Sequence, residues 1–199
     1  MYGFEQSTGE VIIFLDADDL LEPEVMEEVA KVWRSGVSKV QFRMNSINAD
    51  GTQMGTRFPP FPPTRDPEKL RRVYLRTMAY TTPPGTGNAY SRDFVRRAFS
   101  MAPSTLPSSD TVLLVLAPIL GDVLTIAKSL ARYRIHGGNT GGLGAAEAGH
   151  RRISETLAGG CRNRPAIRNR FAAASPAGSC RSPEALPKSS AVSTLFLST

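Results

Sequence analysis

The stretch VIIFLDADDLLEP, residues 11–23, constrains the fold of this chain more than any other. Its five apolar residues, Val11 to Leu15, include three β-branched ones, a pattern typical of a strand buried on both faces. Asp16, Asp18 and Asp19 follow directly. Glu22-Pro23-Glu24 then predicts a helix start, because proline is tolerated in a first helical turn and carboxylates favour the positive end of the helix dipole. This order predicts an α/β sheet with acidic residues at the carboxyl end of a strand, where such sheets bind ligands.

The spacing of the carboxylates indicates a metal site. At positions i and i+2 of extended backbone, Asp16 and Asp18 project to the same side. Two oxygen ligands on one side suit Mg²⁺ or Mn²⁺, which keep other coordination positions for water and substrate phosphates. A solvated turn that caps the following helix is the alternative. An EF-hand fits poorly because Leu20 and Leu21 occupy the positions of a ligand and a glycine. A haloacid-dehalogenase-like phosphatase would need a later acidic pair for magnesium, which the downstream sequence does not show.

The remaining patterns predict further helices and strands in mixed order. Polar and apolar residues alternate over 39–47, which predicts a half-exposed strand, and the prolines of FPPFPPTRDP (58–67) exclude regular structure there. The predicted elements are a helix over 25–33, a turn over 48–51, a helix after Asp66-Pro67, a strand and a Ser91- or Asp93-capped helix within 87–99, a helix over 108–121 and one or two strands over 123–135.

Composition divides the chain at about residue 140. Residues 1–140 hold 16 Lys and Arg against 15 Asp and Glu, whereas residues 141–199 hold 8 against 3 and lack Trp, Tyr and Asp. The basicity therefore belongs mainly to the tail, and the body carries no stripe for nucleic-acid binding. We predict a packed domain over 1–140 and a low-complexity, basic, largely disordered tail over 141–199. A shifted reading frame is another source of such an abrupt change.

Localisation signals point to the cytoplasm. The first ten residues lack the basic-then-apolar pattern of a signal peptide, and VLLVLAPIL (112–120) is too short to span a bilayer. Two cysteines, both in the tail, make neither a disulfide framework nor a zinc motif. The sequence thus predicts a cytoplasmic protein without a transmembrane segment, compatible with peripheral contact at the inner face of the membrane.

Several segments resemble family 2 glycosyltransferases, the large inverting group with the GT-A fold. GEVIIFLDADDLLEP resembles the metal-binding D-x-D segment of that family almost residue for residue. GNAYSRDFV (87–95) is similar to its mid-domain strand and helix, and LPSSDTVLLVLAPILGDVLTIAKSLARYRIHGGN (106–139) is similar to its later region. The resemblance covers about residues 3–140 and implies a partial GT-A mixed sheet with flanking helices.

The resemblance also implies residue roles. Asp16 would contact the nucleotide sugar, Asp18 would ligate Mn²⁺ or Mg²⁺ on its diphosphate, and Asp110 would be the catalytic base that deprotonates an acceptor hydroxyl. His136 would contact the metal or the diphosphate, Arg134 would pair with phosphate or a carboxylate, and Asn88 and Arg92 would line the acceptor side. Structural alternatives stay open: Asp110 or its serine neighbours as a helix cap, His136 as a loop residue and Arg134 in an ion pair.

The resemblance further implies a nucleotide-diphosphate sugar donor, a saccharide or lipid-linked acceptor and a place in polysaccharide biosynthesis. Relatives begin with an α/β half that holds the base and ribose, and only ten residues precede Val11 here. Two hypotheses follow: a metal-dependent, inverting glycosyltransferase whose nucleotide-binding half lies outside this sequence, or a truncated, non-catalytic remnant or interaction module. For the chain as it stands we expect weak or no binding of sugar nucleotides.

Overall fold

A mixed β-sheet forms the centre of the protein. The computed structural model describes residues 2–62, 65–102, 109–136 and 192–197. The strands within these residues are β1 (Val11–Asp16), β2 (Leu20–Leu21), β3 (Val37–Ile47), β4 (Gln53–Phe58), β5 (Asn88–Ser91), β6 (Asp122–Arg134) and β7 (Val192–Leu197). Their order across the sheet is β2-β6-β3-β5-β1-β7, and β4 pairs with the C-terminal half of β3. The predicted α/β class with a mixed sheet is confirmed.

Helices flank this sheet, and two of them begin where the sequence predicts. The helices are α1 (Tyr2–Gln6), α2 (Val25–Val32), α3 (Pro67–Thr77), α4 (Arg92–Met101) and α5 (Ser109–Leu120), with a 3-10 turn over Gly85–Gly87. The Asp66 side chain accepts a hydrogen bond from the backbone N–H of Glu68, and Ser91 accepts one from Phe94. Each bond satisfies a backbone donor that the first helical turn leaves without a partner.

Strand β1 is buried on both faces, as its apolar run predicts. Val11 and Ile13 pack into a core with Val25 and Val29 of α2 and with side chains of β3 and β6. Ile12 and Phe14 point the other way into a second core formed with α4 and α5. Because both faces are covered, every residue of the run contributes to burial, and β1 is held rigidly up to Asp16.

The prediction of a half-exposed strand over 39–47 is wrong. Strand β3 is central, parallel to β6 on one side and antiparallel to β5 and β4 on the other, and its polar residues Lys39, Gln41 and Ser46 are buried. Alternation of polar and apolar residues normally reports one wet face, but here the polar side chains find partners inside the protein. Strand β4 and helix α1 were not predicted either.

The proline-rich segment and the tail give mixed outcomes. Phe58 is the last residue of β4, and residues 59–62 have no regular structure, as the prolines predict; residues 63 and 64 lie outside the described part. The predicted disorder of 141–199 concerns residues outside that part, with β7 as the exception. This strand runs parallel to β1, from Val192 opposite Val11 to Leu197 opposite Asp16. Its partner lies far away in sequence, so local patterns gave no reason to assign it.

Candidate active site

The acidic motif lies at the carboxyl end of β1, as predicted. The strand ends at Asp16, and the chain then turns tightly, with the backbone N–H of Asp19 donating to the carbonyl of Asp16. The turn faces the end of β6, where the backbone N–H of Arg134 donates to Asp19 Oδ1 at 2.9 Å. The ends of two separate strands therefore meet around the three carboxylates.

Asp16 is held in an environment that disfavours its charge. Its backbone N–H donates to Thr86 Oγ1 at 3.2 Å. Burial, followed by the negative charges of Asp110, Asp19 and Asp18, raises the pKa of Asp16 from 3.8 to about 6, against a smaller lowering by Thr86. A cation close to this carboxylate, or a proton bound to it, would therefore reduce the electrostatic repulsion from its neighbours.

Asp110 reaches the same place from the first turn of α5. A Cβ added at Gly85 would lie 3.1 Å from Asp110 Oδ2 and 3.7 Å from Asp16 Oδ2, so both carboxylates border the same small space beside this glycine. Burial raises the pKa of Asp110. The fold thus brings together two acidic residues that are 94 positions apart in the sequence.

Asp19 is the most enclosed of the acidic residues. Its side chain is buried, and the pKa rises through that burial despite the hydrogen bond from Arg134. The second carboxylate oxygen, Oδ2, is buried and accepts no hydrogen bond within the described residues. Asp19 therefore ties the acidic turn to β6.

Asp18 and His136, both predicted to lie near a metal, are direct neighbours. Asp18 Oδ2 lies 2.7 Å from His136 Nε2, and each side chain is about one-third exposed (35%). Within the described part of the chain no group of three or more His, Cys, Asp or Glu side chains is arranged to hold a metal by itself. The Asp18 carboxylate fits a hard cation that takes its remaining ligands from water and a diphosphate, whereas the His136 imidazole beside it is a softer ligand.

Arg134 is committed to the backbone of neighbouring turns. Its guanidinium donates to the carbonyl of Asp18 at 2.8 Å, and also to the carbonyls of Asn48 and Ala49 at 3.1 and 2.8 Å. These bonds clamp the acidic turn to the turn that follows β3. The arrangement favours a structural role for Arg134, because its guanidinium holds backbone carbonyls of two turns.

Two predicted acceptor-side residues do not line the site. Asn88 is fully buried, and its Nδ2 donates to the carbonyls of Pro83, Pro84 and Gly85, so it holds the turn from below. Arg92 lies at the other end of β1, because Ser91 pairs with Val11; its guanidinium donates to Gly9 O and Ser7 Oγ and covers the Phe4 ring. Asn88 therefore lies beneath the turn, and Arg92 lies away from the acidic cluster.

Sequence reasoning missed Gly85 and Thr86. Both belong to the short 3-10 turn before β5, and both contact the carboxylate cluster. The signal for them was the small-residue run PPGTGN, which permits close backbone approach, but nothing local indicates what would approach.

Comparisons with known proteins identify relatives of this chain. Residues 1–99 match the family model described as glycosyl transferase family 2. An uncharacterized glycosyltransferase of Nostoc sp. is 33% identical over 143 residues, a match that covers 69% of this chain and 43% of the relative. The chain therefore spans less than half the length of that relative. No helix among the described residues is long and apolar enough to cross a membrane. The matched segment includes the acidic motif and the turn against which it packs, and the chain belongs to family 2 of the glycosyltransferases.

Proposed function

We propose that this domain transfers a sugar from a nucleotide-diphosphate donor to an acceptor hydroxyl, with inversion and with the help of Mn²⁺ or Mg²⁺. The observation that carries the proposal is the convergence of Asp16 and Asp110, from two distant segments, beside Gly85, with Asp18 near enough for its charge to raise the pKa of Asp16. General glycosyl transfer follows from the family; the donor, the metal and the stereochemistry are our inferences.

Asp110 is the base in this proposal. Its carboxylate accepts the proton of the acceptor hydroxyl while the hydroxyl oxygen attacks the anomeric carbon. The bond from that carbon to the diphosphate oxygen breaks, and the nucleoside diphosphate leaves from the opposite face, which inverts the configuration. A pKa raised by burial brings the carboxylate closer to the working pH, where a general base is most effective.

Asp18 and His136 are the proposed residues that hold the metal, and Asp16 is proposed to contact the donor. A bound divalent ion would neutralise charge on the departing diphosphate. Its positive charge would also relieve the mutual repulsion of Asp16, Asp18 and Asp19, which the fold leaves only partly compensated. Saccharide and lipid-linked hydroxyls are both candidate acceptors, and the location proposed for the reaction is the cytoplasmic side of the membrane.

Calorimetry and a transfer assay with UDP-, GDP- and dTDP-sugars test the proposal. In line with the weak binding expected from the sequence, we expect nucleotide binding that is weak and depends on Mn²⁺ or Mg²⁺, with the metal dependence lost in Asp18→Ala. Asp110→Asn should bind nucleotide within about twofold of the wild type but transfer sugar about 10²–10⁴ times more slowly. Glu27→Gln, which changes an exposed carboxylate on α2, is the matched control and should change neither quantity.

Two outcomes would contradict the proposal in different ways. Metal-dependent nucleotide binding without any transfer by the wild-type chain favours the non-catalytic hypothesis. Transfer at the wild-type rate by Asp110→Asn removes Asp110 as the base and leaves the family assignment untouched.

A further inference from the structure

Lys39 is a buried lysine near the start of β3 that the proposed chemistry does not use. None of its surface is exposed, and no ion pair among the described residues includes it. Burial without a carboxylate partner lowers its pKa well below the usual range. A lysine in such a place is destabilising relative to an apolar side chain of similar volume, so its presence calls for another reason.

The contacts of Lys39 all lead toward the site. Its Nζ donates to Tyr80 Oη at 2.8 Å and to Thr82 Oγ1 at 2.7 Å, and it lies 4.7 Å from the centre of the Tyr80 ring. Tyr80 Oη in turn donates to the carbonyl of Leu114 at 2.8 Å. Lys39 therefore joins the central strand to residues 80–82 and, through Tyr80, to α5, the helix that carries Asp110.

Two further buried polar side chains hold the same segment, which we call the site turn (residues 80–87). Gln41 Nε2 donates to the carbonyl of Thr81 at 3.1 Å, and Asn88 fixes the carbonyls of residues 83–85 from the other end. Gln41 Oε1 and Asn88 Oδ1 are buried without hydrogen-bond partners in the described part of the chain. The protein thus tolerates polar groups in its core to hold a segment that belongs to no strand ladder over residues 80–84.

The upper end of the site turn contacts the carboxylates. Gly85 borders Asp16 and Asp110, and Thr86 Oγ1 accepts a hydrogen bond from the backbone N–H of Asp16. We propose that Lys39 is a positioning residue: through Tyr80 and Thr82 it fixes the site turn, and with it the spacing between the donor-side Asp16 and the base Asp110. The inference deepens the proposed function and rests on it for its catalytic meaning, whereas the positioning itself is a property of the free protein.

Hydrogen exchange followed by mass spectrometry tests the positioning without any substrate. In Lys39→Met, which keeps an unbranched stem and removes the amine, we expect peptides covering residues 79–88 to exchange at least about tenfold faster. Peptides from α2 and α3 should exchange as in the wild type. Lys31→Met is the matched control, because Lys31 is an exposed lysine on α2, and it should leave the site turn unchanged.

Graded variants keep the proposal testable if Lys39→Met fails to fold. Thr82→Val and Tyr80→Phe each remove one of the two oxygen partners, and each should loosen the same peptides by a smaller factor. In transfer assays of those variants that fold, we expect kcat to fall about tenfold while KM for the donor changes less than about threefold. Unchanged exchange of the site turn in the folded variants, or a uniform rise across all peptides, would overturn the positioning role. Absence of transfer by the wild type would instead count against the proposed function alone, because the exchange result does not depend on it.

Discussion

At the scale of single residues, the charged form of Asp16 should lower the free energy of unfolding, because the folded protein disfavours that charge. The rise of its pKa from 3.8 to about 6 corresponds to at most about 3 kcal/mol, which solvent screening of this partly exposed carboxyl reduces. Between these two pH values the folded state binds more protons than the unfolded state does, so this group makes the free energy of unfolding fall as the pH rises through that window. Below pH 3.8 the penalty is absent, and above pH 6 it is fully present.

Asp16→Asn, which mimics the neutral carboxyl, should therefore stabilise the protein at pH 7. We expect the free energy of unfolding to rise by about 1–3 kcal/mol, with the difference shrinking to near zero below pH 4. Urea titrations in the presence of a chelator measure it. Glu27→Gln, the exposed control, should differ from the wild type by less than about 0.5 kcal/mol at every pH. A difference for Asp16→Asn that is independent of pH would show that charge is not its cause.

Gly85 gives a second prediction at this scale, because its missing side chain leaves room between the two carboxylates. A Cβ there would press on Asp110 Oδ2 at 3.1 Å, and the backbone conformation of Gly85 does not itself require glycine. We expect Gly85→Ala to fold with little loss of stability but to lower kcat about tenfold, since Asp110 must move. Steady-state kinetics measure kcat, and thermal melts measure the stability. A normal kcat in Gly85→Ala would mean that Asp110 accommodates the added methyl group without loss of activity.

At the scale of elements, helix α4 illustrates local encoding. Ser91 accepts a hydrogen bond from Phe94, so the helix begins at a residue that the sequence itself marks. Ser91→Ala should lower the free energy of unfolding by about 1 kcal/mol, measured by urea titration. Ser100→Ala, a change in the exposed last turn of the same helix, should have a much smaller effect. Equal effects of both variants would indicate that helix propensity, not capping, is being measured.

Strands behave differently from helices here, because their partners decide their exposure. Strand β3 alternates like a surface strand, yet most of its side chains are buried: β6, β5 and β4 pair with its two edges, and its apolar residues pack with those of α2 in the core. Its buried polar residues hold the site turn. Strand β3, whose exposure the local pattern predicted wrongly, is therefore the strand whose side chains support the site turn.

At the scale of the whole molecule, β7 closes an otherwise open edge of β1. The six residue pairs run the length of β1 and end beside Asp16. In a parallel ladder only alternate residues of a strand direct their N–H toward a given neighbour. Proline at one of two adjacent positions should therefore break the pairing, whereas proline at the other should be tolerated far better.

We expect one of Ser193→Pro and Thr194→Pro to destabilise the domain by about 2–3 kcal/mol and the other by clearly less. The more damaging variant should also associate at high concentration, because it frees an apolar strand edge. Urea titration and light scattering measure the two effects. Equal, small effects of both substitutions would mean that β7 does not pair with β1 in solution.

The sequence alone determined the features that arise from neighbouring residues. The apolar run of β1, the acidic turn, the capped starts of α3 and α4 and the irregular proline-rich segment all follow from contacts within a few positions, where steric and hydrogen-bond rules act directly. The family resemblance added Asp110 and His136, and the structure places both beside the acidic turn.

Only the tertiary structure decided the rest, because it depends on groups that are distant in sequence. Asn88 and Arg92 looked like site residues, yet burial under the site turn and the antiparallel register of β5 take both away from it. The contacts of Gly85 and Thr86, the commitment of Arg134 to backbone carbonyls and the burial of Lys39 likewise follow from which strands lie side by side. A local pattern specifies what a residue can do, and the long-range pairing of β1 with β5, and of β3 with β6, specifies what each residue meets.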